Sequence, residues 1–233
     1  MNCYSCPGAL GSCPIGSLQA TLNAREYRIS MYVVGLLVVF GTVLGRVVCG
    51  FLCPFGLVQD LLYKIPFVKK IRSLPGEKFL RYFRFVFLLV FVLLLPAFVA
   101  DFTGLGEPWF CKWGCPVGTL EGGIPLVLLN SAMRGAAGFI FKWKLLILVV
   151  TLVSSIVIYR PFCRYVCPLG AIYGIFNKIS FYRFKIDSEK CTKCGACQKI
   201  CKLDIPVYEN PNSVDCIRCG DCKAGCPHGA IRI

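Results

Sequence analysis

Cys191-Thr-Lys-Cys194-Gly-Ala-Cys197-Gln-Lys-Ile-Cys201 recurs in the same rhythm as Cys216-Ile-Arg-Cys219-Gly-Asp-Cys222-Lys-Ala-Gly-Cys226-Pro227. In each run three closely spaced thiolates can wrap one face of a cubane iron–sulfur cluster, and the fourth cysteine crosses to the other cluster. This assigns Cys191, Cys194, Cys197 and Cys226 to one cluster, and Cys216, Cys219, Cys222 and Cys201 to a second. Gly195, Gly220 and Gly225 let backbone N–H groups approach the sulfurs, where they stabilise a reduced cluster. The chain holds 17 cysteines in 233 residues. A disulfide framework belongs to short soluble chains, and zinc normally closes a four-ligand site in a polar ribbon. Neither suits cysteines that also flank long apolar runs.

The spacing is that of a two-cluster ferredoxin, with one departure: Cys201 is followed by Lys202 rather than proline. Upstream of about residue 180 the composition changes. Hydrophobic residues make up 56% of the chain and the mean hydropathy is +0.66, values that place the first part in a bilayer. Three apolar runs, Ile29–Gly45, Phe85–Ala100 and Leu145–Tyr159, are expected to span it. The run from Ile124 to Phe141, interrupted by Pro125, Asn130 and Arg134, is expected to be interfacial or re-entrant. The segment between the first two spans carries Arg46, Lys64, Lys69, Lys70, Arg72, Lys78, Arg81 and Arg84 against Asp60 and Glu77, so it should face the cytoplasm. The N-terminus is then outside and the cysteine-rich C-terminal segment inside. The formal charge of +14 resembles a nucleic-acid signature, but the bases cluster at membrane ends and beside cysteines, where they offset thiolates and meet anionic headgroups. No nucleic-acid partner is expected. The one histidine, His228, excludes bis-histidine haem, and no Cys-x2-Cys-His occurs for covalent haem.

Four short strings repeat in the first 180 residues: Cys13-Pro-Ile-Gly, Cys53-Pro-Phe-Gly, Cys115-Pro-Val-Gly and Cys167-Pro-Leu-Gly. Each should start a small helix on its proline, with the cysteine at the positive end of the helix dipole. Three are preceded, four residues back, by Cys49, Cys111 and Cys163. Arg46-x2-Cys49-x3-Cys53 and Arg160-x2-Cys163-x3-Cys167 match best, and both follow a span on the basic side. Cys49, Cys53, Cys163 and Cys167 are therefore expected to hold an inner membrane cluster. Cys111 and Cys115 fall on the outer side with Cys3, Cys6 and Cys13, five candidates for four places at an outer cluster, which leaves one of Cys3 and Cys6 spare. Arg46 and Arg160 read equally as snorkelling anchors or as charges that tune a cluster.

The expected architecture is an all-α membrane domain over residues 1–180, with about three transmembrane helices, interfacial helices and a pseudo-two-fold internal repeat, followed by an α+β two-cluster ferredoxin domain over 181–233. On these motifs the chain resembles the NapH/MauN-type membrane polyferredoxin family. The likeness runs through Cys49-x3-Cys53-Pro, Cys163-x3-Cys167-Pro and the C-terminal cysteines, and covers nearly the whole chain. It implies a multi-pass protein of a bacterial or archaeal cytoplasmic membrane that relays electrons through four [4Fe-4S] clusters, with no haem and no covalent flavin in this chain. The implied partners are other subunits of a membrane redox complex, a cytoplasmic electron carrier or dehydrogenase, an outer-face cytochrome or flavoprotein, and quinone. The additional Cys3, Cys6, Cys13, Cys111 and Cys115 depart from the NapH pattern and favour a cluster at the outer face. Two other readings compete with the relay. A quinol dehydrogenase subunit of NapH type would need a quinone pocket, and an electron-supplying assembly factor would show a reactive outer thiol.

Overall fold

Each Cys-Pro-x-Gly string opens a helix. In the computed structural model, which describes residues 13–22, 31–66, 69–98, 108–129 and 138–233, these helices are Pro14–Leu22, Pro54–Tyr63, Pro116–Gly118 and Pro168–Phe176. Proline stands where its missing N–H would have no intrahelical acceptor, and its fixed φ suits a first turn. The cysteine before it is extended, with φ/ψ of −81°/112° at Cys53 and −92°/108° at Cys115. These two pairs also share what precedes them: Val48–Leu52 and Phe110–Gly114 are π-helical turns that bury Cys49 and Cys111. The third pair uses an α-helical turn, Pro161–Tyr165, which buries Cys163. The repeat in sequence is thus a repeat of backbone conformation.

Among the described residues, two helices are long and apolar enough to cross a membrane, Phe79–Phe98 and Phe139–Val157, of 20 and 19 residues. Their large apolar side chains point outward at Leu89, Leu93, Leu146, Val150 and Val153, a surface suited to hydrocarbon rather than water. Both begin ahead of the apolar runs read from sequence, and in the first the polar groups there have local partners. Arg81 pairs with Glu77 one turn away, and the Arg84 guanidinium lies 5.0 Å from the centre of the Phe85 ring. Inside the second helix Thr151 and Ser154 hydroxyls donate to the carbonyls of Ile147 and Val150, each at 2.8 Å, which satisfies them without water. Of the expected first span, the described residues form a helix Met31–Leu44, 14 residues long.

The chain gathers into two compact units, each built from separated stretches. The first takes Met1–Leu37, Tyr82–Ser154 and Val166–Leu169. Its interior includes Ile15, Val92, Phe110 and Leu148, all buried, and Phe87 stacks on Phe91 at 5.2 Å while meeting Phe110 edge-on at 6.4 Å. The second takes Val38–Arg81, Ser155–Tyr165 and Gly170–Ile233. Its core joins Tyr63 and Tyr159 to Phe184, Leu203, Ile205, Val207, Ile217 and Ile231. A two-stranded antiparallel ribbon closes it, with Lys185 opposite Arg232 and Ile186 opposite Ile231. The helix Met31–Leu44 stops at Gly45, whose φ of +58° ends the helical ladder. The carbonyls of Thr42 and Val43, left over by that stop, accept from the N–H groups of Phe181 and Tyr182 at 2.8 and 3.2 Å.

Candidate cluster-binding sites

The C-terminal segment forms two recesses. Cys191, Cys194, Cys197 and Cys226 line the first; Cys201, Cys216, Cys219 and Cys222 line the second. The same backbone device builds both. Lys193 and Arg218, one residue before Cys194 and Cys219, are left-handed with φ of 53° and 55°, and Gly195 and Gly220, one residue after, are left-handed at 73° and 88°. The double reversal turns N–H groups toward sulfur. Ala196 donates from its backbone to Cys194, and Asp221 does the same to Cys219. Burial pushes the Cys216 thiol up to about 11 and the Cys222 thiol up to about 12. Four thiols with inward N–H donors around an apolar recess fit a cubane. Among the described residues no three Cys, His, Asp or Glu side chains close on one point as for a single ion. His228 lies exposed on the rim of the first recess.

In the same unit, Cys49, Cys53 and Cys163 sit within electrostatic reach of one another. Burial raises both buried thiols, Cys163 to about 12, and Arg46 and Arg160 oppose the rise at Cys49. Neither arginine snorkels: each is 2% exposed. Arg160 donates through Nη1 to the Cys49 carbonyl at 2.7 Å and through Nη2 to the Gly50 carbonyl at 2.9 Å. Its Nε reaches Asp60 Oδ1 at 2.6 Å, and Nη2 also pairs with Oδ2. Arg46 answers with Nη2 to the Cys163 carbonyl at 3.1 Å and Nη1 to the Val214 carbonyl at 2.9 Å. Each arginine therefore holds the turn of the other motif. In the two inner strings the same bridge explains the glycine of Cys-Pro-x-Gly. A Cβ on Gly56 would lie 3.2 Å from the Cys49 carbonyl and 3.3 Å from Arg160 Nη1, and one on Gly170 would lie 3.1 Å from Arg46 Nη2 and 3.2 Å from the Cys163 carbonyl. Cys167, expected beside these three, lies in the Val166–Leu169 stretch of the first unit.

The inner motif and the C-terminal segment meet within the second unit. A Cβ on Gly50, one residue after Cys49, would lie 2.9 Å from the carbonyl oxygen of Ile217, one residue after Cys216. Only glycine allows that approach. Asn177 ties the same parts, accepting from the Arg46 N–H at 3.0 Å and donating to the carbonyls of Ser213 and Cys216 at 2.9 and 2.7 Å. Arg218 donates to the Ser180 hydroxyl at 2.7 Å, to the Asn177 carbonyl at 2.6 Å and to the Tyr182 carbonyl. Arg81 bridges Glu77, Asp215 and the Leu203 carbonyl, and Arg72 donates to the Lys199 carbonyl at 2.6 Å. Sequence reading passed over Asn177, Arg218 and Gln59. Their partners are backbone carbonyls or a sulfur far along the chain, which leave no local pattern. Cys13, Cys111 and Cys115 all belong to the first unit, with Cys111 4% exposed; Cys3 and Cys6 lie outside the described residues.

The model of a 4Fe-4S binding domain matches residues 29–75, 84–124 and 143–188, and another 4Fe-4S binding domain model matches 184–206. Fold, donor set and matches together define an iron–sulfur electron-transfer protein. An uncharacterized protein of Methanocaldococcus jannaschii is 32% identical over 84% of this chain and 75% of its own length. The ferredoxin-type protein NapH of Haemophilus influenzae is 28% identical over 88% and 69%, and the methylamine utilization ferredoxin-type protein MauN of Methylorubrum extorquens is 30% identical over 81% and 59%. The chain belongs to the NapH/MauN-type polyferredoxin family. The chain spans between 59% and 75% of the length of these curated relatives. No solved structure matches it.

Proposed function

We propose that the chain is the transmembrane electron-transfer subunit of a redox complex, relaying electrons between the cytoplasmic and outer faces of the membrane. Residues 1–180 form its membrane domain and 181–233 its ferredoxin domain. Four [4Fe-4S] clusters are held by the sets Cys191/Cys194/Cys197/Cys226, Cys216/Cys219/Cys222/Cys201, Cys49/Cys53/Cys163/Cys167, and Cys13/Cys111/Cys115 with Cys3 or Cys6. Such a cluster, when bound, takes up and releases single electrons with little movement of its surroundings. The observation that carries this reading is the approach of Gly50 to Ile217. It brings the peptide after one ligand, Cys49, against the peptide after another, Cys216. Tyr63 and Tyr159, packed edge-on at 5.2 Å beside them, exclude water from the same region.

The charges support a C-terminal segment on the cytoplasmic side. Arg72 and Arg81, in the basic segment, and Arg164, beside the last inner motif, hold the ferredoxin segment or its support through Lys199, Asp215 and Leu203, so that segment shares the cytoplasmic side of the basic residues. The outer cluster would then serve a periplasmic or extracellular acceptor or donor such as a cytochrome or flavoprotein, and a cytoplasmic carrier or dehydrogenase would dock on the ferredoxin segment. A relative named for methylamine utilization supports service to a dedicated redox system. In sealed cells an impermeant amine reagent should leave Lys190 and Lys223 unmodified; labelling of either from outside reverses the topology.

Anaerobically purified protein should carry about sixteen iron and sixteen sulfide per chain. About eight iron, or zinc in stoichiometric amount, would overturn the two membrane sites and leave a ferredoxin on an apolar anchor.

A further inference from the structure

The Cys-Pro-x-Gly repeat extends further than its four letters. Six residues after each cysteine stands a side chain able to donate a hydrogen bond when neutral: Gln19 after Cys13, Gln59 after Cys53, Glu121 after Cys115 and Tyr173 after Cys167. At three of the four the position is interior, and Glu121 is half-buried. Gln19 and Gln59 are both 0% exposed, and Tyr173 is 3% exposed. A buried carboxamide is a poor choice for packing alone, because its oxygen and nitrogen lose water and need partners. Leucine or methionine would fill the space without that cost.

At Gln59 the nitrogen has found its partner. Its Nε2 donates to Cys163 Sγ at 3.2 Å, with a second contact to the Phe55 carbonyl at 3.4 Å, while Oε1 has no hydrogen-bond partner among the described residues. The amide is thus oriented by its donor end, and the group it serves is a cysteine sulfur on a different motif, 104 residues away in sequence. Gln19 repeats the half of this arrangement that the described residues contain. It is fully buried, and neither its nitrogen nor its oxygen has a hydrogen-bond partner among them.

We propose that Gln59 is a positioning residue of the inner membrane site, whose side-chain amide donates to Cys163 Sγ and thereby raises the reduction potential of the cluster held there, with Gln19 in the corresponding role at the outer site. The inference rests on the cluster assignment proposed above. A hydrogen bond to a ligating sulfur draws off negative charge, and reduction adds one electron to the iron–sulfur core and its ligands. The bond therefore strengthens on reduction and favours the reduced form. In the C-terminal recesses, Ala196 and Asp221 supply this function from the backbone. Supplying it from a side chain allows the potential of the membrane site to be set by one residue without altering the turn that carries the cysteines.

The test uses the full chain, purified anaerobically in detergent, with iron content and electron paramagnetic resonance read on the same samples during a redox titration. Gln59→Met keeps the length and apolar bulk of the side chain and removes the donor. It should keep about sixteen iron and lower the reduced-to-oxidised ratio of one cluster about tenfold at fixed potential, roughly 59 mV for one electron. The other signals should keep their midpoints. Wild-type protein carrying 15N in its glutamine side chains should also show a nitrogen coupling on that same signal, a readout that needs no variant. Full iron with an unshifted midpoint, or with no such coupling, overturns the inference and leaves the cluster assignment standing. Wild-type protein with about eight iron overturns the assignment and the inference together.

Discussion

Arg160 Nη1 donates to the carbonyl oxygen of Cys49 across 111 residues of chain. The converse bond, from Arg46 to the carbonyl of Cys163, spans 117. Each guanidinium is three residues ahead of one motif's first cysteine and fixes the position of the other's. A planar fork with five N–H donors is what this task requires, since Arg160 must meet two carbonyls and both oxygens of Asp60 at once.

Arg160→Lys should therefore behave as a non-conservative change. A single ammonium cannot span the three partners, and it strands buried carbonyls along with Asp60. The expected loss is about 2–3 kcal/mol, reduced from the cost of breaking a fully buried pair because Asp60 is partly exposed. Arg232→Lys, at the exposed pair with Asp187, should cost under about 1 kcal/mol. Chemical unfolding in detergent measures both, and equal effects would refute the special role of Arg160.

Alanine at Gly56 or Gly170 should destabilise, against its helix-forming preference. The new Cβ enters the arginine–carbonyl bridge at 3.1–3.3 Å, and a backbone carbonyl cannot swing aside as a side chain can. Gly35→Ala meets nothing within 4 Å and should gain roughly 0.5–1 kcal/mol from propensity alone. Thermal unfolding of the three variants reads opposite signs; a stabilised Gly170→Ala would show that the bridge yields freely.

Cys53→Ala and Cys163→Ala should abolish the same electron paramagnetic resonance signal and each remove about four iron. The two residues come from different motifs, yet each is within electrostatic reach of the other. If the two variants delete different signals, each motif serves a separate centre.

Much of this was legible in sequence because cluster ligation is a local code. Cysteine spacing named the eight residues that line the two C-terminal recesses, and Cys-Pro marked four helix starts. Arg46 and Arg160 stand out in sequence as a matched pair, readable there as anchors or as tuning charges. Their reciprocal grip depends on backbone carbonyls more than a hundred residues away, and a carbonyl carries no letter. Asn177 was missed for the same reason. The apolar runs misjudged helix ends because hydropathy counts Arg81 and Arg84 as termini, whereas the helix continues past both with their charges met by Glu77 and by an aromatic ring. The repeated rhythm of the four strings within this one chain does hold the signal for Gln59, three residues beyond the glycine that closes Cys53-Pro-Phe-Gly.

The bond from Arg46 Nη1 to the Val214 carbonyl has a consequence for how the protein is made. Its acceptor is synthesised 168 residues after its donor, which at roughly 5–20 residues per second means a wait of about ten to thirty seconds. Throughout that interval Arg46 has no Val214 to bind, and Gly50 has no Ile217 to lie against. The turn carrying Cys49 is thus uncovered while the later segments are still on the ribosome, and the last few dozen residues act as its closing cap. The C-terminal segment thus closes over that turn last, after every cysteine of the proposed inner site has been made.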